Sequence, residues 1–298
     1  MRTSALLVTL LVSAALMAQA PAPAQAPALA DLVKAERPAV EKLLAELKFP
    51  EAQKRAEALL PAEKPVFDKT NNQTLVQSCG TYLGLAEAYR LATEAADAAG
   101  AWEKALDYAK AAKALAVESY AGVKEPFGQT VTYYTQSGVR AQQVLDENDA
   151  RIKELKAKTI LDPGERQELD LALGVEKEVV DSAKWVKFFQ TYLDVTKRET
   201  EAYDPMVTIM GKRLQDQAGQ INEYKAGKGD KLKWVEAVVS SPAYLEGQGG
   251  KAGKARFLYR LATLAPDNKK VQHQLAILNG KATAPKTAPK VVKKGKKA

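Results

Sequence analysis

Apolar residues along this chain recur three and four positions apart, the spacing that gathers side chains on one face of an α-helix, and they seldom alternate as in a half-buried strand. The one β-rich run, Thr130 to Thr135, is short and opens a segment of helical period. The pattern therefore predicts an all-α fold of antiparallel helical hairpins. A first hairpin is expected from helices over 38–47, with Val40, Leu43, Leu44 and Leu47 on one face, and 50–60. Pro38 and Pro50 each stand where fixed φ and a missing donor suit the first helical turn. A long helix is predicted over 72–98, carrying Leu75, Val76, Cys79, Tyr82, Leu83, Ala86, Tyr89 and Ala92 at helical spacing. Gly100 supplies the left-handed position that closes it. Its partner is predicted over 102–121, with Ala105, Tyr108, Ala109, Ala112 and Leu115 facing back.

A turn is expected at Pro126-Phe127-Gly128, followed by helical stretches over 130–158 and 165–203 joined by Asp162-Pro163-Gly164. So short a connection makes the two an antiparallel, coiled-coil-like pair. Leu169, Ala172, Leu173, Val179, Ala183, Val186, Phe189 and Leu193 form its predicted seam. Asp204-Pro205 starts a further helix to 224, and Gly227-Lys228-Gly229 interrupts the chain. A short helix over 232–239, a glycine-rich loop over 242–253 and helices over 254–264 and 268–278 complete the elements.

At two places the sequence resembles tetratricopeptide repeats, helix-turn-helix units that stack into solenoids. Over 86–118, Tyr89 stands where the family has its first aromatic, and Gly100 to Tyr108 resembles the start of the second repeat helix. Ala105 and Ala112 fall on its small contact positions. Over 257–278, Leu264-Ala265-Pro266-Asp267-Asn268 resembles the junction between repeats, and Leu275-Ala276 the Leu-Gly pair that follows. Ala92-Thr93, Ala96 and Val117 depart from the pattern, and 130–203 does not fit the repeat length. The resemblance implies hairpin stacking at these two places and a protein-binding surface, with no uniform solenoid.

The ends differ from the body. Arg2, an apolar run over 5–16 and an Ala/Pro/Gln stretch precede Asp31, the first acid, which is the layout of a secretory signal peptide. The run falls short of the roughly 20 residues that a bilayer-spanning helix needs, so export without a permanent transmembrane anchor is expected. Cleavage fits after Ala20, where Pro21 impedes it, or after Ala24, and no cysteine near the run offers a lipid anchor. The expected organisation is a signal peptide over 1–24, a linker with a short helix over 25–37, and hairpins over 38–122. A long hairpin with its following helix over 130–226, helices over 230–280 and a disordered tail over 281–298 come next.

Net charge is +8, which invites a nucleic-acid reading until it is located. Arg2 and Lys281, Lys286, Lys290, Lys293, Lys294, Lys296 and Lys297 account for all of it, so 30–280 is electrically balanced. A nucleic-acid-binding fold carries its basic excess on a folded face, and no reason to propose one remains. Lysines spaced by Ala-Pro can instead collect weak, salt-sensitive contacts with lipopolysaccharide, anionic lipid or cell-wall polymer.

Candidate chemistry is sparse. His273 is the only histidine and Cys79 the only cysteine, so no internal disulfide can form and any catalytic triad or multi-histidine metal set must draw on that one imidazole. His273, between Gln272 and Gln274, reads as a surface residue, and Cys79 as a small buried apolar one. Asp146, Glu147, Asp149, Glu165, Glu168 and Asp170 lie near lysines and arginines at helical spacing, as on solvated faces. The run Gly247 to Ala255 fails as a phosphate loop: five residues separate Gly247 from Gly253, and Ala255 replaces the hydroxyl that holds magnesium. No catalytic, cofactor or metal residues are assigned. Trp185, Phe188, Phe189 and Tyr192 with Tyr133 and Tyr134 form the densest aromatic group. Phe189 reads as hairpin core, while Trp185, Phe188, Tyr192 and Tyr133 are the candidate partner surface.

Overall fold

The computed structural model describes residues 28–228 and 230–281. Among them the regular elements are all helices: α1 (Ala28–Ala45), α2 (Phe49–Glu57), α3 (Asn72–Ala98), α4 (Trp102–Glu147), α5 (Asp149–Ala157), α6 (Pro163–Ala202), α7 (Asp204–Lys228), α8 (Lys231–Val239), α9 (Pro242–Glu246), α10 (Gly250–Leu264) and α11 (Lys269–Leu278). The all-α fold is as the periodicity predicts. The signal-peptide segment, Gly229 and the lysines from Lys286 onward lie outside the described residues.

α3 begins and ends where the sequence places it. Asn71 and Thr74 exchange side-chain-to-backbone hydrogen bonds at its start, and Gly100 follows its end at φ +76°. α6 opens on a capping box: the Asp162 carboxylate accepts from the Glu165 amide at 2.8 Å and the Glu165 side chain accepts from the Asp162 amide.

Three expectations are corrected. α1 does not begin at Pro38 but runs through it from Ala28. Pro38 withholds a hydrogen bond from the Lys34 carbonyl, yet both residues are exposed, so water can take that acceptor. The helix ends at Ala45, and Leu47, expected on its apolar face, forms the corner at φ 61°. α4 likewise passes through Pro126 without the predicted turn. Val123 and Phe127, either side of that proline, are fully buried against Leu75, Val76, Cys79 and Phe189. Burying two such side chains gains about 1.5–3 kcal/mol each, against a cost of about 3 kcal/mol for an interior proline. Packing therefore wins, and the real interruption falls at Asn148, whose side chain donates to the Val144 carbonyl at 2.7 Å.

The third correction is the seam of α6. Its inward face runs Ala172, Val175, Val179, Ser182, Val186, Phe189, Leu193 and Thr196, alternating steps of three and four, whereas Leu173 is 44% exposed and Ala183 lies on the solvent side. Ser182 and Thr196 are polar and so escape an apolar search. Thr196 satisfies its hydroxyl on the Tyr192 and Leu193 carbonyls of its own helix, and Ser182 packs opposite Gly138, where a Cβ would come within 3.2 Å. Phe127 with Phe189, Tyr134 with Trp185 and Gly138 with Ser182 run in opposite order along α4 and α6, so the pair is antiparallel.

The chain divides into two compact units. Of the described residues, one comprises those up to Arg37, Glu57–Leu91 and Tyr108–Val207; the other comprises Pro38–Ala56, Ala92–Asp107 and those from Thr208 on. In the first, Val33, Tyr82, Leu85, Ala86, Ala112, Leu115 and Tyr203 form one core cluster, and Leu75, Cys79, Val123, Phe127 and Phe189 another. At Gly122 a Cβ would sit 2.5 Å from the Phe67 ring, so a side chain there would displace that ring. In the second, Trp234, Val235, Leu258, Leu261, Val271 and Leu275 make the main core.

Candidate functional site

The first unit contains an open groove of about 530 Å³ bounded by α1, α3 and α6. Leu83, Tyr192, Val195 and Val33 supply its apolar lining, with Tyr203 buried at its edge. Gly84 sets the wall: a Cβ there would lie 3.1 to 3.3 Å from Ala30, so the missing side chain lets α1 and α3 approach closely. Lys34, Arg37, Glu87 and Glu199 add charge of both signs to the lining. Arg37 pairs with Glu87, which also accepts from Arg90 Nε at 2.7 Å. Burial, reinforced by the Glu199 and Glu87 carboxylates, pushes the Tyr203 phenol well above its ordinary range and keeps it protonated.

The aromatic group is brought together as the sequence suggests, but mostly as core. Phe189 is 1% exposed and touches Phe127, Phe188, Trp185 and Tyr134, with ring centroids 4.9 to 6.4 Å apart. Trp185, Phe188 and Tyr192 are half-buried against this cluster, and Tyr192 turns one side to the groove. Of the four proposed surface aromatics, Tyr133 alone is half exposed. It stands beside an open depression with Lys124, Gln129 and Gln136. Cys79 is buried, with Ser119 Oγ 3.2 Å from its sulfur, and burial pushes its thiol up to about 11.

The second unit has a separate cavity of about 450 Å³ among α8, α9, α10 and α11. Lys254, Lys269, Lys270 and His273 line it, with Ser240, Glu246 and the apolar Val239, Pro242 and Leu245. His273 is exposed on α11, as read from its glutamine neighbours. The glycine-rich run is not one long loop: α9 occupies Pro242–Glu246, and α10 begins at Gly250 after Gly249 at φ +86°. Lysine tail residue Lys281 is exposed.

Arg260 is the one buried cation among the described residues, at 1% exposure. Its guanidinium donates to Gln217, to the Gly100 carbonyl and to both oxygens of Glu103, at 2.6 to 3.0 Å, and lies 4.7 Å from the Trp102 ring. The sequence gives no sign of this network, because its members are scattered from Gly100 to Arg260. Among the described residues no cluster of three or more His, Cys, Asp or Glu is arranged to hold a metal ion, and no helix is long and apolar enough to cross a membrane.

Fold and sites together define an all-α protein with an apolar groove in one unit and a lysine-lined cavity in the other. Comparison with protein-family models, with curated proteins and with solved structures finds no match.

Proposed function

We propose that this protein is an exported, non-enzymatic helical scaffold that binds another protein in the cell envelope. The observation that carries this reading is the groove of α1, α3 and α6, whose lining is mainly apolar and includes charges of both signs. Such a groove suits an amphipathic helical segment that seats apolar side chains against Leu83, Tyr192 and Val195 and sets its own charges against Lys34 and Glu199. The repeat-like sequence over 86–118 and 257–278 adds support, since stacked helical hairpins serve as binding surfaces. Export rests on the amino-terminal sequence, and no cofactor or metal is required.

Val195→Glu places a carboxylate on the apolar lining without touching a fully buried position. The variant should melt with the wild type and lose the partner that wild-type protein retains from native envelope extracts. Retention by the variant at unchanged stability would refute the groove as the binding surface.

The concentration of positive charge in 281–298 favours a second reading, direct binding of an anionic envelope polymer or lipid through the lysine tail. Truncation after Gly280 separates the two. Partner binding survives it under the first reading, and salt-sensitive polyanion binding disappears under the second.

A further inference from the structure

We infer that the cavity among α8, α9, α10 and α11 is a binding site for a phosphate group carried on a small organic body. Lys254 comes from α10, Lys269, Lys270 and His273 from α11, and Ser240 from the corner after α8. Lys254, Lys269 and Lys270 form no ion pair among the described residues, whereas Arg151, Lys153, Lys156 and Lys158 of the α5 region each have a carboxylate partner. Glu246 is the only acid of the lining and is matched against three lysines. Three lysines against one carboxylate leave the lining with a positive excess, which a dianion offsets.

The lining also carries hydrogen-bonding capacity that a phosphate can use. Lys270 Nζ lies 3.1 Å from Ser240 Oγ, which holds the amine over the cavity and leaves its other donors available. His273 adds ring nitrogens, and Gln274 an amide. Asn268 already accepts from the Lys270 and Val271 amides, so recognition falls to side chains rather than to the free end of α11. Val239, Pro242 and Leu245 form an apolar wall, and about 450 Å³ is far more than a bare oxyanion fills. The favoured ligand is therefore a phosphomonoester whose carbon body packs on that wall. The same phosphate chemistry occurs on a free metabolite and on a lipid headgroup.

The test uses the full chain, so that the tail contributes equally throughout. Three proteins are compared: wild type, a cavity variant (Lys254→Gln, Lys269→Gln, Lys270→Gln) and a charge control at exposed positions of α4 and α6 (Lys110→Gln, Lys187→Gln, Lys197→Gln). Binding of glycerol 3-phosphate is followed by calorimetry, and binding to phosphatidic acid vesicles against phosphatidylcholine vesicles by co-sedimentation, with melting curves confirming that all three fold alike. Binding that falls by about tenfold or more in the cavity variant and by less than about threefold in the charge control supports the site. Loss confined to glycerol 3-phosphate assigns it to a free phosphomonoester, and loss confined to vesicles assigns it to a headgroup. Absence of binding by wild type to either probe, or equal loss in both variants, overturns the proposal. A cavity variant that fails to fold is replaced by the single Lys254→Gln and Lys269→Gln variants, read against the same thresholds.

Discussion

The Arg260 guanidinium grips the Glu103 carboxylate at two points, Nη1 to Oε2 and Nη2 to Oε1, each at 2.7 Å. The two partners sit in different surroundings, since the Arg260 side chain is 2% exposed and that of Glu103 61%. Losing the arginine strips Gln217 and the Gly100 carbonyl of their donor, so Arg260→Ala is expected to cost about 3 kcal/mol. Losing the carboxylate leaves the cation held by Gln217, the Gly100 carbonyl and the Trp102 ring, and Glu103→Ala should cost roughly 2 kcal/mol. Denaturant unfolding of both variants and their double mutant checks the ranking, with a coupling of about 1 kcal/mol expected because water screens the glutamate.

Gly100 and Gly211 should respond to alanine with opposite signs. At Gly100 a Cβ would approach the Arg260 amide nitrogen to 2.3 Å, and φ is +76°. Gly100→Ala is expected to lose at least about 2 kcal/mol, since strain and a backbone clash add. Gly211 lies within α7 with open space around a new Cβ. Gly211→Ala should gain roughly 0.5–1 kcal/mol. Paired thermal melts decide both.

Stability should be lost on both sides of a neutral plateau. The Arg260 hydrogen bonds lower the Glu103 pKa below its ordinary 4.5, against an opposing effect of burial. That stabilisation is therefore complete above 4.5 and drains away as pH falls through the lowered value. On the alkaline side burial raises Cys79 from 9.0 to about 11 and also raises Tyr203. Their contributions are complete below the ordinary values and disappear as pH climbs, for Cys79 between 9.0 and about 11. A melting series across pH measures both limbs. In parallel, the Cys79 thiol should resist a thiol reagent in native protein near neutral pH and react on unfolding.

The aromatic cluster should divide by burial. Phe189→Ala is expected to cost about 3–5 kcal/mol as a core truncation. Trp185→Ala, half-buried beside Tyr134 and Phe188, should cost about half as much, and Tyr133→Ala less than about 0.5 kcal/mol. Chemical denaturation of the three variants orders them.

Local signals were legible wherever they faced no competing force. α3 combines an unbroken apolar face with a left-handed glycine at its end, and both of its boundaries are readable. Pro126 carried an equally strong local signal, but the burial of Val123 and Phe127 on either side outweighed it. The α6 seam departs from the apolar spacing because Ser182 and Thr196 occupy inward positions that only the opposing helix or their own backbone explains. The groove and the lysine cavity were out of reach for a different reason. The groove draws on residues near 33, 83 and 195, and the cavity joins Lys254 to Lys269 and Lys270. No spacing rule links positions that only tertiary packing brings together.

The scaffold reading is tested most directly by photo-cross-linking in living cells, with a photoreactive residue at Val195 in the groove or at Lys187 on the exposed side of the same helix. The account predicts one discrete protein adduct from position 195, none from 187, and its disappearance when Leu83→Asp is added. No adduct from 195, or the same adduct from both positions, would contradict it.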